Sequence, residues 1–165
     1  MASTPLNLGF LTVLEEGGGY LGGYLVTNIW GRPLEFRLSS AVQPNKVQKI
    51  LYAGTLVPYI CGDLIGKALV EKAGLAIQMV VTTCEAALDL RLKLEVPVVW
   101  LAPPDDCRTG GSLAVELPES RGVLVCHPRH GEDVAIARQL LADSNGLDLV
   151  EPFARIREAI VEARG

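Results

Sequence analysis

Three aliphatic runs, at residues 77–81, 97–101 and 122–125, limit what this chain can fold into. None shows the alternation of a half-wet strand, and all are short for a buried helix. Such runs are strands of a sheet covered on both faces, as in parallel sheets flanked by helices. Each run also leads into polar or reactive side chains. The first reaches Thr82, Thr83, Cys84 and Glu85, the second Asp105, Asp106 and Cys107, the third Cys126, His127 and His130. In an open parallel sheet the carboxyl ends of the strands border the crevice where ligands bind. Three parallel neighbours would therefore gather most of the reactive side chains at one edge.

The first forty residues follow another pattern. Residues 8–14 and 20–28 are apolar, and Glu15-Glu16-Gly17-Gly18-Gly19 separates them as a turn. Residues 34–39 alternate apolar and polar, so one face is buried. Gly22-Gly23 inside the second run marks a bulge or a close backbone approach. From Pro44 the period becomes helical through Val47, Ile50 and Leu51, with Gly54 and Pro58 as interruptions and a second helix over 58–73. Strand 76–82, helix 84–92 and strand 96–101 form a βαβ unit. Residues 102–112 read as a loop, 113–117 and 122–126 as a hairpin, and 132–143 and 151–163 as helices. The expected fold class is α/β: an N-terminal antiparallel β-meander continuing into a partly parallel, mixed sheet with flanking helices. The expected organisation is one domain over 1–165.

Composition narrows the function classes. A net charge of −4 offers no electrostatic reason to bind nucleic acid, and none is expected as a partner. No segment reaches the ~20 apolar residues of a membrane span, and the first residues lack the basic charge of a secretory signal. Cysteines stand at 61, 84, 107 and 126, with no Cys-x-x-Cys pair, which suits reduced thiols in the cytoplasm. Aromatics make up only 5% of the chain while 49% of it is hydrophobic. An aliphatic excess of this kind suits a surface hidden in a homo-oligomer or against a protein partner.

Three sets of residues could carry chemistry. Cys84 ends a strand and opens a helix, where the helix dipole lowers a thiol's pKa. With His127 or His130 as base it would be a nucleophile. Cys126, His130 and Asp106 combine sulfur, imidazole and carboxylate, the donors that zinc accepts, although their spacing matches no standard motif. No cofactor is expected, and zinc is the one that these residues could hold. Tyr20, Tyr24 and Trp30, with Phe36, lie on the meander; they would form a partner-binding face if exposed and core if a helix covers them. The glycines at 17–19 fall in a hairpin rather than between a strand and a helix, so a phosphate loop is excluded. With no complete catalytic motif, the first expectation is a non-catalytic cytosolic protein acting through assembly. The alternative is a thiol- or metal-dependent hydrolase built on Cys84 and the 126–130 loop.

Overall fold

The structure, a computed structural model, describes residues 6–103, 113–117, 122–144 and 147–164. Seven strands form one sheet: β1 (Asn7–Glu16), β2 (Gly19–Asn28), β3 (Pro33–Leu38), β4 (Met79–Thr82), β5 (Val98–Ala102), β6 (Ala114–Glu116) and β7 (Val123–Cys126). Their order is β3-β2-β1-β4-β5-β7-β6. β1, β2 and β3 pair antiparallel as the expected meander, while β1, β4 and β5 are parallel. β7 runs antiparallel to β5, and β6 completes the hairpin with β7. The fold is thus the α/β mixed sheet with flanking helices that the apolar runs imply.

Period-two alternation divides the core between the two faces of the sheet. One face carries Leu11, Tyr24, Val26, Val80, Val98, Trp100 and Val125. Residues 56–72 of a helical run that begins at Lys46, together with a 3-10 helix (Glu85–Lys93), cover it. The other face carries Leu8, Phe10, Leu25, Met79, Val81, Val99, Leu124 and Cys126 beneath α4 (Asp133–Asp143) and α5 (Glu151–Arg164). Gly22 and Gly23 serve one face each. A Cβ on Gly22 would overlap Ile65, and one on Gly23 would overlap Ile156. The pair is therefore a close approach on both sides of the sheet, not a bulge.

The helical run changes geometry along its length. It comprises α1 (Lys46–Tyr52), a 3-10 turn (Ala53–Thr55), α2 (Leu56–Pro58), a π-helix (Tyr59–Gly66) and α3 (Lys67–Lys72). The expected interruption falls at Ala53, whose φ of 45° is left-handed. Pro58 is accommodated, because the following segment starts there and Pro suits a first helical turn. Apolar periodicity gave no sign of the π-helix.

Tyr24 lies in the core over Gly9, where a Cβ would overlap the phenol. Its hydroxyl is buried with no hydrogen-bond partner among the described residues. Burial, and secondarily Glu35, push its pKa up. An unsatisfied buried hydroxyl costs about 1–3 kcal/mol, so Tyr24→Phe is expected to be neutral or to stabilise by about 1 kcal/mol. Urea unfolding checks this, and a loss above about 1 kcal/mol would show that the hydroxyl is paired.

Candidate functional site: a pair of neighbouring thiols

The antiparallel run of β7 separates the residues that a parallel arrangement would have gathered. Val81 stands beside Val99, and Val99 beside Cys126, while Thr82 and Trp100 lead toward Val125. Beyond Cys126 the chain therefore heads for the amino end of β5, while Cys84 lies past the carboxyl end of β4. Asp89 of the 3-10 helix bonds His127, and five residues at ~2.0 Å each put roughly 10 Å between Cys84 and Asp89 along that helix. His127 and His130 are thus not seated as bases for Cys84.

The histidines are engaged elsewhere. The Arg129 N–H donates to His127 Nδ1 (3.1 Å), so Nε2 carries the hydrogen that faces Asp89 Oδ1 at 3.0 Å. His127 is buried with both ring nitrogens used. His130 Nδ1 pairs with Glu132 at 2.9 Å, and the two imidazole rings meet edge to face, 5.9 Å apart. Beside them Arg91 grips Asp133 through two contacts of 2.8 and 3.4 Å and donates to the Leu94 carbonyl at 2.7 Å.

The expected zinc set does not assemble among the described residues. Cys126 faces the core under α4, on the other side of the sheet from Asp89, and desolvation pushes its thiol up to about 11. Asp105, Asp106 and Cys107 lie outside the described residues. Among those described, no group of three or more His, Cys, Asp or Glu is placed to hold a metal. The aromatic partner face is also corrected. Tyr24 points into the core, Tyr20 is half-buried, and Trp30 stands in the β2–β3 turn, 81% exposed. Strand alternation and the turn send the three side chains to different places.

What the fold does bring together is Cys84 and Cys61, thiols near enough for each to shift the other's pKa. Cys84 is the N-cap of the 3-10 helix, with extended backbone (φ −103°, ψ 109°). Its N–H donates to Thr82 Oγ1 (3.1 Å), and the Thr83 and Thr12 hydroxyls bond at 2.8 Å, which ties the turn to β1. Cys61 comes from the π-helix and is buried, whereas Cys84 is partly exposed. Two glycines allow the approach. A Cβ on Gly62 would come within 3.1 Å of the Leu90 nitrogen, so the π-helix and the 3-10 helix touch nearly backbone to backbone. A Cβ on Gly66 would sit 2.8 Å from the Cys61 carbonyl, so the π-helical turn that carries Cys61 needs glycine there. Long 3-10 and π runs are uncommon, and π turns recur at functional sites.

The electrostatics are unequal. Cys61 is the largest influence on Cys84 and brings it down to about 7; burial opposes this, and the amides of Ala87 and Ala86 assist. Cys61 is pushed far above the usual thiol range by its neighbour Cys84 and by burial. The Tyr20 phenol is raised by desolvation, then by the charges of Glu15, Cys61 and Cys84, which puts it beside the pair. The sequence reading chose Cys84 and missed Cys61. The available signal was a cysteine followed by Gly62 and Gly66, small residues four apart on a helix, which permit close helix contact.

No family model and no curated protein matches the sequence. Among solved structures, the chain is similar to a Ciona intestinalis endonuclease V crystallised with a 24mer DNA containing an inosine followed by a ribo-adenosine. The identity is 13% and the TM-score 0.37, over 86% of this chain and 58% of that chain. At that TM-score the likeness carries no argument about activity. That neighbour is an endonuclease on DNA, which stands against the expectation of a non-catalytic assembly protein with no nucleic-acid partner, and that expectation is not carried further. A whole-chain charge of −4 averages over faces that differ, so it was too coarse a ground for that exclusion.

Proposed function

We propose that this protein performs thiol–disulfide exchange, with Cys84 as the attacking thiolate and Cys61 as the resolving thiol. The observation that carries the reading is a pair of neighbouring thiols, one buried and one partly exposed, set where glycine lets the π-helix press against the 3-10 helix. The Cys84 thiolate attacks one sulfur of a substrate disulfide. The Cys84–substrate S–S bond forms, the substrate's own S–S bond breaks, and the other half leaves as thiolate. Cys61 then loses its proton and attacks Cys84 Sγ, expelling the second thiolate. The products are a Cys61–Cys84 disulfide and two substrate thiols, with two electrons transferred to the substrate. A reducing cytoplasm would hold the resting pair as the dithiol. An attacking thiol with pKa near ambient pH is close to the optimum for exchange, because a lower one gains ionisation but loses nucleophilicity.

Equilibrating the native protein in buffers of oxidised and reduced glutathione, followed by acid quench, alkylation and peptide mass analysis, tests this. Wild type is expected to form the Cys61–Cys84 disulfide. Cys61→Ser is expected to stop at a glutathione adduct on Cys84, and Cys84→Ser to form neither. A wild type that forms no such disulfide at any ratio, or a Cys84→Ser variant as reactive as wild type, would overturn the reading.

A further inference from the structure

We propose that α1 is a docking face for an anionic lipid bilayer surface. The helix is built the wrong way round for a soluble fold. It has no buried residue, and Val47, Ile50 and Leu51 are 62, 76 and 76% exposed. At ~100° per residue these three span an arc of roughly 100°, so α1 turns its apolar stripe outward. Seven residues make a marginal helix on their own. A capping box holds it instead: Gln48 N–H donates to Asn45 Oδ1 (2.8 Å) and Asn45 N–H to Gln48 Oε1 (3.0 Å). At its other end Tyr52 stacks on Tyr59, with centroids 4.6 Å apart. The helix is thus kept formed while its apolar face stays in water.

Charge selects the occupant. From Phe36 to Gly62 the sequence has no Asp or Glu, and its charged residues are Arg37, Lys46 and Lys49, in a chain of net charge −4. Helical geometry puts Lys46 at one border of the apolar arc and Lys49 on the opposite, polar side, and both are exposed. An apolar stripe backed by a polar side that carries lysines and no acid is the pattern of a helix lying in the headgroup layer of anionic lipid. A second copy fits less well, because a two-fold contact through this face would set the Lys46 side chains of the two copies near one another.

The helix would lie on the membrane rather than cross it. The run Lys46–Lys72 has the length and hydropathy of a span. However, Ile60, Cys61, Ile65 and Leu69 are packed against the sheet, so only α1 is free to enter lipid.

Co-sedimentation with vesicles, alongside size-exclusion chromatography, tests the proposal. Wild type is expected to pellet with phosphatidylcholine vesicles containing phosphatidylglycerol, less with phosphatidylcholine alone, and less at high salt. Ile50→Glu/Leu51→Glu, two exposed changes, should weaken binding about tenfold or more with unchanged circular dichroism. Lys46→Glu/Lys49→Glu should abolish the preference for anionic vesicles. Wild type left in the supernatant with both vesicle types, or a double glutamate variant that binds equally, overturns it. So does a wild-type dimer that Ile50→Glu/Leu51→Glu dissociates, which would assign the face to a second copy.

Discussion

Asp133→Ala is expected to destabilise the protein by about 3–5 kcal/mol, the usual cost of leaving one partner of a buried ion pair alone. Asp133 is fully buried and the Arg91 side chain is 12% exposed, so water cannot replace the lost carboxylate. Two of the guanidinium's contacts disappear together, and the third, to the Leu94 carbonyl, does not compensate the charge. At ~2–4 °C per kcal/mol for a chain of this size, the melting temperature should fall by roughly 6–20 °C. The loss should persist at high salt, because buried pairs are poorly screened. Lys67→Ala is the contrast. Its pair with Glu71 is 3.9 Å long and exposed on both sides, so the change should lie within about 0.5 kcal/mol. Replacing Arg91 and Asp133 together by Met and Leu should recover much of the loss, since the penalty belongs to the orphaned charge. Urea denaturation of the four proteins decides it, and an Asp133→Ala cost below about 1 kcal/mol would mean that the pair is solvated in solution.

That pair also shows where a sequence stops being legible. The apolar runs at 77–81, 97–101 and 122–125 could be read as strands because burial on both faces leaves no other pattern. The meander was legible from its turn glycines and from the alternation at 34–39. The direction of β7 decides which residues share an edge, and a four-residue aliphatic run looks the same in either direction. The putting together of Cys84 with the histidine loop failed on that one point. Arg91–Asp133 and Cys61–Cys84 are separated by 42 and 23 positions, and no periodicity links either pair. The place of Tyr24, core or exposed face, was left open for a related reason. An aromatic in a strand faces core or solvent according to register, and Gly9, which makes room for its ring, sits on the neighbouring strand.

Cys61→Ala is expected to move the midpoint of Cys84 alkylation upward from about 7, toward or beyond the ordinary 9.0. The Cys61 thiol is the largest influence holding Cys84 down, and burial, which pushes it up, remains when that thiol is gone. At pH 7 the thiolate fraction would fall from about a half to about a hundredth. A thiolate of higher pKa is intrinsically more nucleophilic, by roughly six- to tenfold for two units. The net loss with iodoacetamide at pH 7 is therefore about five- to tenfold. Above pH 9 the order should reverse, with the variant faster. A merely loosened structure would raise reactivity at every pH, so the crossing is diagnostic, and an unmoved midpoint would refute the interaction of the two thiols. Cys61→Ser keeps a donor and should fall between. Stability must follow the same protons. From about pH 7 to 9 the native pair holds one proton and the unfolded chain two, so stability rises with pH. Above about 9 the unfolded chain holds none, while Cys61, pushed far up, keeps its own, so stability falls. Wild type should therefore gain stability up to about pH 9 relative to Cys61→Ala/Cys84→Ala, and then lose it.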